Sequence, residues 1–196
     1  MKTTFLGLLI TGIFMVNSCS TVKKAEQKEH LRLLKHVEET KLYVKRKGFS
    51  DDYCFLLDMT IPSGKKRFFV IDLHTNTIIL SGLVAHGSCD QNFLPDAKFS
   101  NDPGGGCTSI GRYKVGYSYK GQYGKAYKLF GLDKTNSNAY NRAIVLHAYT
   151  CVPDEEIYPG AVCNSLGCTM VSYGFLGQVS GIIDRSEKPI VLWIYT

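Results

Sequence analysis

At 196 residues the chain has room for one domain with a sizeable core and little beyond it. With 44% hydrophobic and 20% charged residues, its composition is that of a globular protein and excludes a disordered or fibrous class. The formal net charge of +6 is modest and the lysines and arginines are spread along the chain, which argues against a nucleic-acid partner and allows weak attraction to an anionic polymer.

The first segment reads as an address. Lys2 supplies a positive start, Phe5 to Val16 an apolar stretch too short to span a membrane, and Val16-Asn17-Ser18-Cys19 a small-residue processing site. A cysteine at such a cut resembles a bacterial lipobox. The expectation is a signal peptide over 1–19, cleaved before Cys19, with a diacylated Cys19 as membrane anchor. The alternative is an ordinary secretory signal in which Cys19 is incidental; both routes export the chain.

Residues 20–48 read as a helical spacer. From Ala25 to Lys47 the sequence is charged, with Leu31, Leu34, Val37 and Leu42 at helical intervals, and this amphipathic helix either spaces the domain from the membrane or packs on it. His30 and His36 fall on its surface, and Lys45-Arg46-Lys47 forms its solvated end. After Gly48 the pattern changes to short runs rich in β-branched and aromatic residues: 53–59, 67–73, 77–85, 111–117, 126–131, 143–148 and 190–195. Ile61-Pro62-Ser63-Gly64, His74-Thr75-Asn76 and Asp102-Pro103-Gly104-Gly105-Gly106 punctuate them with turn chemistry. A mostly β domain over 49–196 is predicted, with one further short helix over Gly174 to Ile183.

The chemistry concentrates near the C-terminal end. His147 closes the apolar run Ala143-Ile144-Val145-Leu146, and Ser165-Leu166-Gly167-Cys168 follows after a loop of about twenty residues. A thiol is a strong nucleophile only as thiolate, and a nearby imidazole can take its proton, so Cys168 and His147 are the candidate catalytic pair. The competing reading is a buried structural cysteine beside a satisfied core histidine. Beside the sulfur, the backbone amides of Gly167 and Cys168 are candidate oxyanion donors, and Ser165 either orients the loop or donates to the same oxyanion.

The segments Ile144-Val145-Leu146-His147-Ala148 and Ser165-Leu166-Gly167-Cys168 resemble the active-site signature of the L,D-transpeptidases (YkuD-like). Arg67 to Leu73, Val84-Ala85-His86-Gly87, Phe99-Ser100-Asn101, Thr108-Ser109-Ile110-Gly111 and Asn141-Arg142-Ala143-Ile144 resemble, in that order, a murein-directed subgroup of bacterial envelopes. The resemblance covers roughly residues 50 to 195. It departs at Leu166, where many relatives carry a second His, and at Thr169-Met170, where many carry a charged or amide residue.

The resemblance implies a mostly β sandwich or barrel with one or two short helices behind the N-terminal one. It also implies an exported acyl transferase that attacks peptidoglycan stem peptides through a Cys168 thioester, resolved by another stem, a D-amino acid or water. His86 either lines the pocket or hydrogen-bonds a loop. Arg142 either holds a substrate carboxylate through its fork or pairs with a structural acid. No metal or organic cofactor is called for, and a monomer on the periplasmic face of the envelope is expected. The rival class is a non-catalytic envelope lipoprotein that binds wall peptide with the same fold, motivated by the departures at Leu166, Thr169 and Met170.

Seven cysteines in an exported chain need partners. Setting aside Cys19 and Cys168 leaves an odd number, so at most two disulfides form and one thiol stays free. The preferred pairings are Cys89 with Cys107 and Cys151 with Cys163, each closing a local loop; a loop of the second size gains about 3 kcal/mol from the constrained unfolded chain. The alternative leaves these thiols free and buried.

Overall fold

The computed structural model describes residues 14–196, with side chains from Lys24 onward apart from Ala25. Residues 1–13 of the expected signal peptide, and the side chain of Cys19, lie outside the described residues. The described residues divide into two units between His36 and Val37.

Helix α1 spans Phe14–Lys47 and so begins well before the predicted Ala25. In the first unit its Leu31 and Leu34 are exposed, and no helix among the described residues is long and apolar enough to cross a membrane. In the second unit the buried positions of the helix include Val37, Thr40 and Val44, at the spacing of one helical face, whereas Leu42 is exposed. The predicted stripe through Leu31, Leu34 and Leu42 is therefore corrected: only its Val37 is buried. Gly48, at φ 73°, takes the left-handed conformation that ends the helix, and its N–H returns to the Val44 carbonyl at 2.9 Å.

Eight strands follow: β1 Tyr53–Asp58, β2 Phe68–Asp72, β3 Thr77–Gly82, β4 Gly111–Gly121, β5 Gly124–Gly131, β6 Val145–Ala148, β7 Thr169–Val171 and β8 Val191–Tyr195. They form one mixed sheet in the order β3-β2-β1-β8-β4-β5-β6-β7, parallel at β1–β8 and β6–β7 and antiparallel elsewhere. The mostly β architecture with an N-terminal helix is as the sequence predicts. Two details differ. β7 is absent from the predicted strands, because three residues are too few to show alternation, and β4 runs four residues past Tyr117.

Alternation along the strands turns Phe55, Phe68, Tyr113, Tyr127, Leu129, Leu146 and Leu192 to one face. There they meet Phe175, Leu176, Val179 and Ile182 of helix α2, Tyr173–Ile183, and each such side chain gains roughly 1.5–3 kcal/mol by its burial. α2 starts just beyond β7 because the Ser172 hydroxyl accepts from the Phe175 N–H, an N-cap. Phe68 and Phe175 pack edge to face at 5.1 Å. The bridges Ala85 to Met170 and Gly87 to Ser165 tie the segment leaving β3 to β7 and the loop before it, which draws the Cys168 region onto the core.

Candidate active site

The site is assembled at β6 and β7. Because Leu146 and Ala148 point into the core, His147 between them must emerge on the opposite face. Its Cα partners are Ala126 of β5 and Met170 of β7. Cys168, two residues before Met170, continues the same side of β7 as the chain enters it. His147, Cys168 and Met170 accordingly line one cleft of about 280 Å³, together with Tyr123, Tyr149, Ser165 and Leu166. Leu166 is 76% exposed on its rim.

His147 is buried, and its Nδ1 lies 3.0 Å from the Ala148 carbonyl oxygen. A carbonyl only accepts, so Nδ1 carries the proton and Nε2 is left as the basic nitrogen. A backbone carbonyl thus orients the base. Burial pushes the imidazole below its ordinary value, against the smaller opposing effect of the Ala148 bond. Burial also pushes the Cys168 thiol up, opposed by the Val145 N–H, Arg142 and Lys128. Burial thus disfavours charge on both groups, and Cys168 Sγ lies 3.9 Å from the Ala143 carbonyl. Ala143 holds φ 54°, a conformation costly for a residue with a Cβ, and this turn aims its carbonyl at the sulfur.

The Ser165–Cys168 turn is braced from inside. The Ser165 hydroxyl donates to the Cys168 carbonyl at 2.8 Å and accepts from the Gly167 N–H at 3.1 Å. Ser165 therefore orients the loop. The Gly167 N–H, expected as an oxyanion donor, is engaged by the Ser165 hydroxyl. Gly167 matters instead for its backbone: it sits at φ 104°, and a Cβ there would lie 2.7 Å from the Cys107 carbonyl oxygen and 2.9 Å from Arg142 Nη2.

Of the two readings open for His86, the structure shows the loop hydrogen bond, and Arg142 is likewise held by protein groups. Arg142 donates to the Ser100 carbonyl at 3.0 Å, the Ser109 hydroxyl at 3.2 Å and the Cys107 carbonyl, clamping residues 100–109 behind the Ser165–Cys168 turn. All three of these partners are neutral protein groups, so the expected acid is not among them. His86 is fully buried away from the cleft. Its Nδ1 accepts from Arg67 Nη2 at 2.9 Å, so its Nε2 donates to the Leu94 carbonyl at 2.9 Å. Burial and the neighbouring Arg67 push it down to about 4. Arg67, itself buried, spans Ile61 and Val84 through their carbonyls, so the pair ties three segments together. His74 bonds Asp52 at 2.9 Å on the surface.

Disulfides join Cys89 to Cys107 and Cys151 to Cys163, with Cα separations of 4.3 Å and 6.0 Å. The second closes the loop that lies between His147 and Cys168 in sequence. Cys54 and Cys168 are free thiols, and Cys54 is buried with its pKa driven far up. Among the described residues no three His, Cys, Asp or Glu side chains gather as a metal would need.

Sequence reasoning missed Tyr123, Tyr149 and Met170 as cleft residues. Tyr149 was within reach, two places beyond His147 and just past the end of β6. Tyr123 was not, since its position depends on how far the β4–β5 hairpin overhangs β6.

No curated protein matches the sequence. Among solved structures the chain is similar to the helical cell shape determining protein Pgp2 from Campylobacter jejuni, at 13% identity for that protein and 14% for its K307A mutant, both with TM-score 0.49. It is also similar to an L,D-transpeptidase from Xylanimonas cellulosilytica, at 11% identity and TM-score 0.42. Each match covers 74% of this chain but only 48% of the Campylobacter protein and 61% of the Xylanimonas one. The family model for the L,D-transpeptidase catalytic domain matches residues 22–195, nearly the whole sequence, and the chain belongs to that family.

Proposed function

We propose that the chain is an exported, cysteine-dependent L,D-transpeptidase or L,D-carboxypeptidase acting on peptidoglycan stem peptides, held to a membrane by a lipid on Cys19. The observation that carries the reading is the His147 imidazole, its Nδ1 pinned by the Ala148 carbonyl and its Nε2 left as the base, sharing one cleft with the free Cys168 thiol. Family membership supports the acyl-transfer class and a wall peptide as substrate.

In this mechanism the Cys168 proton passes to His147 Nε2 as sulfur attacks a peptide carbonyl carbon. The oxyanion is assigned to the Cys168 backbone N–H, since the Gly167 amide is engaged. Collapse breaks the C–N bond, and His147 returns the proton to the departing amine of a D-amino acid, leaving a thioester. An amine from a second stem or a D-amino acid, or water, attacks that thioester and restores the thiol. Acceptor choice is a matter of cleft shape, here mostly apolar and aromatic.

The test is incubation of the purified protein with murein stem peptides and mass spectrometry of the products. The expected result is a shortened or exchanged stem with the wild type and none with Cys168→Ala. Turnover by Cys168→Ala would overturn the mechanism. Absence of turnover by both would favour the non-catalytic wall-binding lipoprotein. Incorporation of labelled fatty acid into the wild type and not into Cys19→Ser tests the anchor.

A further inference from the structure

We propose that Tyr123 is a positioning residue for the His147–Cys168 pair, its ring forming a cover that keeps the imidazole in place and out of water. The proposal rests on the catalytic reading of that pair.

The cover is built by hairpin length. β5 meets β6 at Ala126↔His147, and beyond that point the β4–β5 ribbon continues to its Gly121↔Gly124 pair. The two-residue turn Gln122-Tyr123 therefore overhangs β6 near His147. Gly124 holds φ 91°, a conformation open to glycine, and so lets so tight a turn close. Tyr123 lies stacked on the His147 imidazole, with centroids 5.4 Å apart and planes 21° from parallel. Tyr149 meets the same tyrosine edge-on at 5.0 Å, which props the ring from the side.

The exposures fit a cover. Tyr123 at the tip is 45% exposed, whereas His147 beneath it is 6% exposed. The imidazole's Nδ1 bond to Ala148 fixes one edge of the ring, and the stack restrains its tilt. The groups facing His147 are Ala126 from β5, Met170 from β7, Cys168 and Ser165 from the nucleophile turn, and the two tyrosines. No carboxylate is among them. The cations Arg142 and Lys128 act on the sulfur. Burial dominates the imidazole's titration, and removing the cover should move it.

The experiment compares Tyr123→Ala and Tyr123→Phe in the full chain by two readouts. The first is the NMR titration of the His147 ring proton, which needs no substrate. Tyr123→Ala should raise the His147 pKa toward its ordinary 6.5, and Tyr123→Phe should leave it where the wild type has it. The second is the pH profile of kcat/KM on stem peptides. Tyr123→Ala should lower the plateau roughly 10- to 100-fold and shift the acid limb upward, with Tyr123→Phe restoring both. An unmoved titration in Tyr123→Ala, or a Phe variant as impaired as the Ala one, would overturn the proposal. Should the wild type turn over no stem peptide, the proposed function fails, and the titration still decides whether Tyr123 covers His147.

Discussion

Replacing Arg142 with Met separates a clamp from a substrate hook. The guanidinium serves the Ser100 carbonyl, the Cys107 carbonyl and the Ser109 hydroxyl, and Met fills its volume while offering none of those hydrogen bonds. An acceptor left unsatisfied in a buried setting costs about 1–3 kcal/mol, and water reaching this half-buried position recovers part of it, so the total loss is about 3 kcal/mol. For a chain of this size 1 kcal/mol shifts Tm by about 2–4 °C, so the variant should melt roughly 6–12 °C lower by circular dichroism. Removing this cation also deprives the Cys168 sulfur of a charge that favours its thiolate. The fall in kcat/KM should therefore be alike for stem peptides with free and amidated terminal carboxylates. A Tm within about 2 °C of the wild type, with KM raised only for substrates carrying the free carboxylate, would refute the clamp and restore the hook.

Below pH 6.5 the unfolded chain protonates His86 before the folded chain does, since the buried ring titrates only near 4. Its contribution is complete above pH 6.5 and is lost as pH falls toward 4, on the order of 3 kcal/mol, so urea midpoints should drop between pH 7 and 4.5; a flat profile would contradict it. Gly167→Ala forces a Cβ at φ 104° against the Cys107 carbonyl and should cost roughly 1–3 kcal/mol by thermal melting, with turnover falling more than the lost stability explains. Iodoacetamide labelling of Cys168 in the free protein should show a midpoint above the ordinary thiol value of 9.0, with Cys54 unlabelled in the native state; a midpoint below it would show a preformed ion pair.

Much of the fold lies in local patterning. The runs from Tyr53 to Gly131 carry β-branched and aromatic residues between Gly- and Pro-rich turns, and each becomes a strand because one face is buried. The order of the strands is non-local: β8, last in the chain, lies between β1 and β4, which no local pattern announces. β7 escapes because its pairing with β6, not its own alternation, makes it a strand. His147 and Cys168, which line one cleft, were legible as candidates from residue type and the turn around Gly167. The neighbours were read less well, for one reason. A histidine or arginine looks alike in sequence whether it faces a ligand or a buried carbonyl, and His86 and Arg142 both face carbonyls.

The same burial that hides those groups governs the pair itself. It disfavours charge on both side chains, raising the thiol and lowering the imidazole. Orienting His147 by a carbonyl rather than a carboxylate has the matching consequence. The Ala148 oxygen fixes the tautomer and aims Nε2, yet lacks the full negative charge that would stabilise an imidazolium. In the proposed mechanism, charge separation then accompanies attack on the substrate carbonyl, when the developing oxyanion is met by the backbone amide and the proton has a leaving amine to reach. Arg142, Lys128 and the Val145 N–H lower the cost of that separation on the sulfur side. On the proposed mechanism, the reaction then depends on how firmly the imidazole is held in line with the thiol.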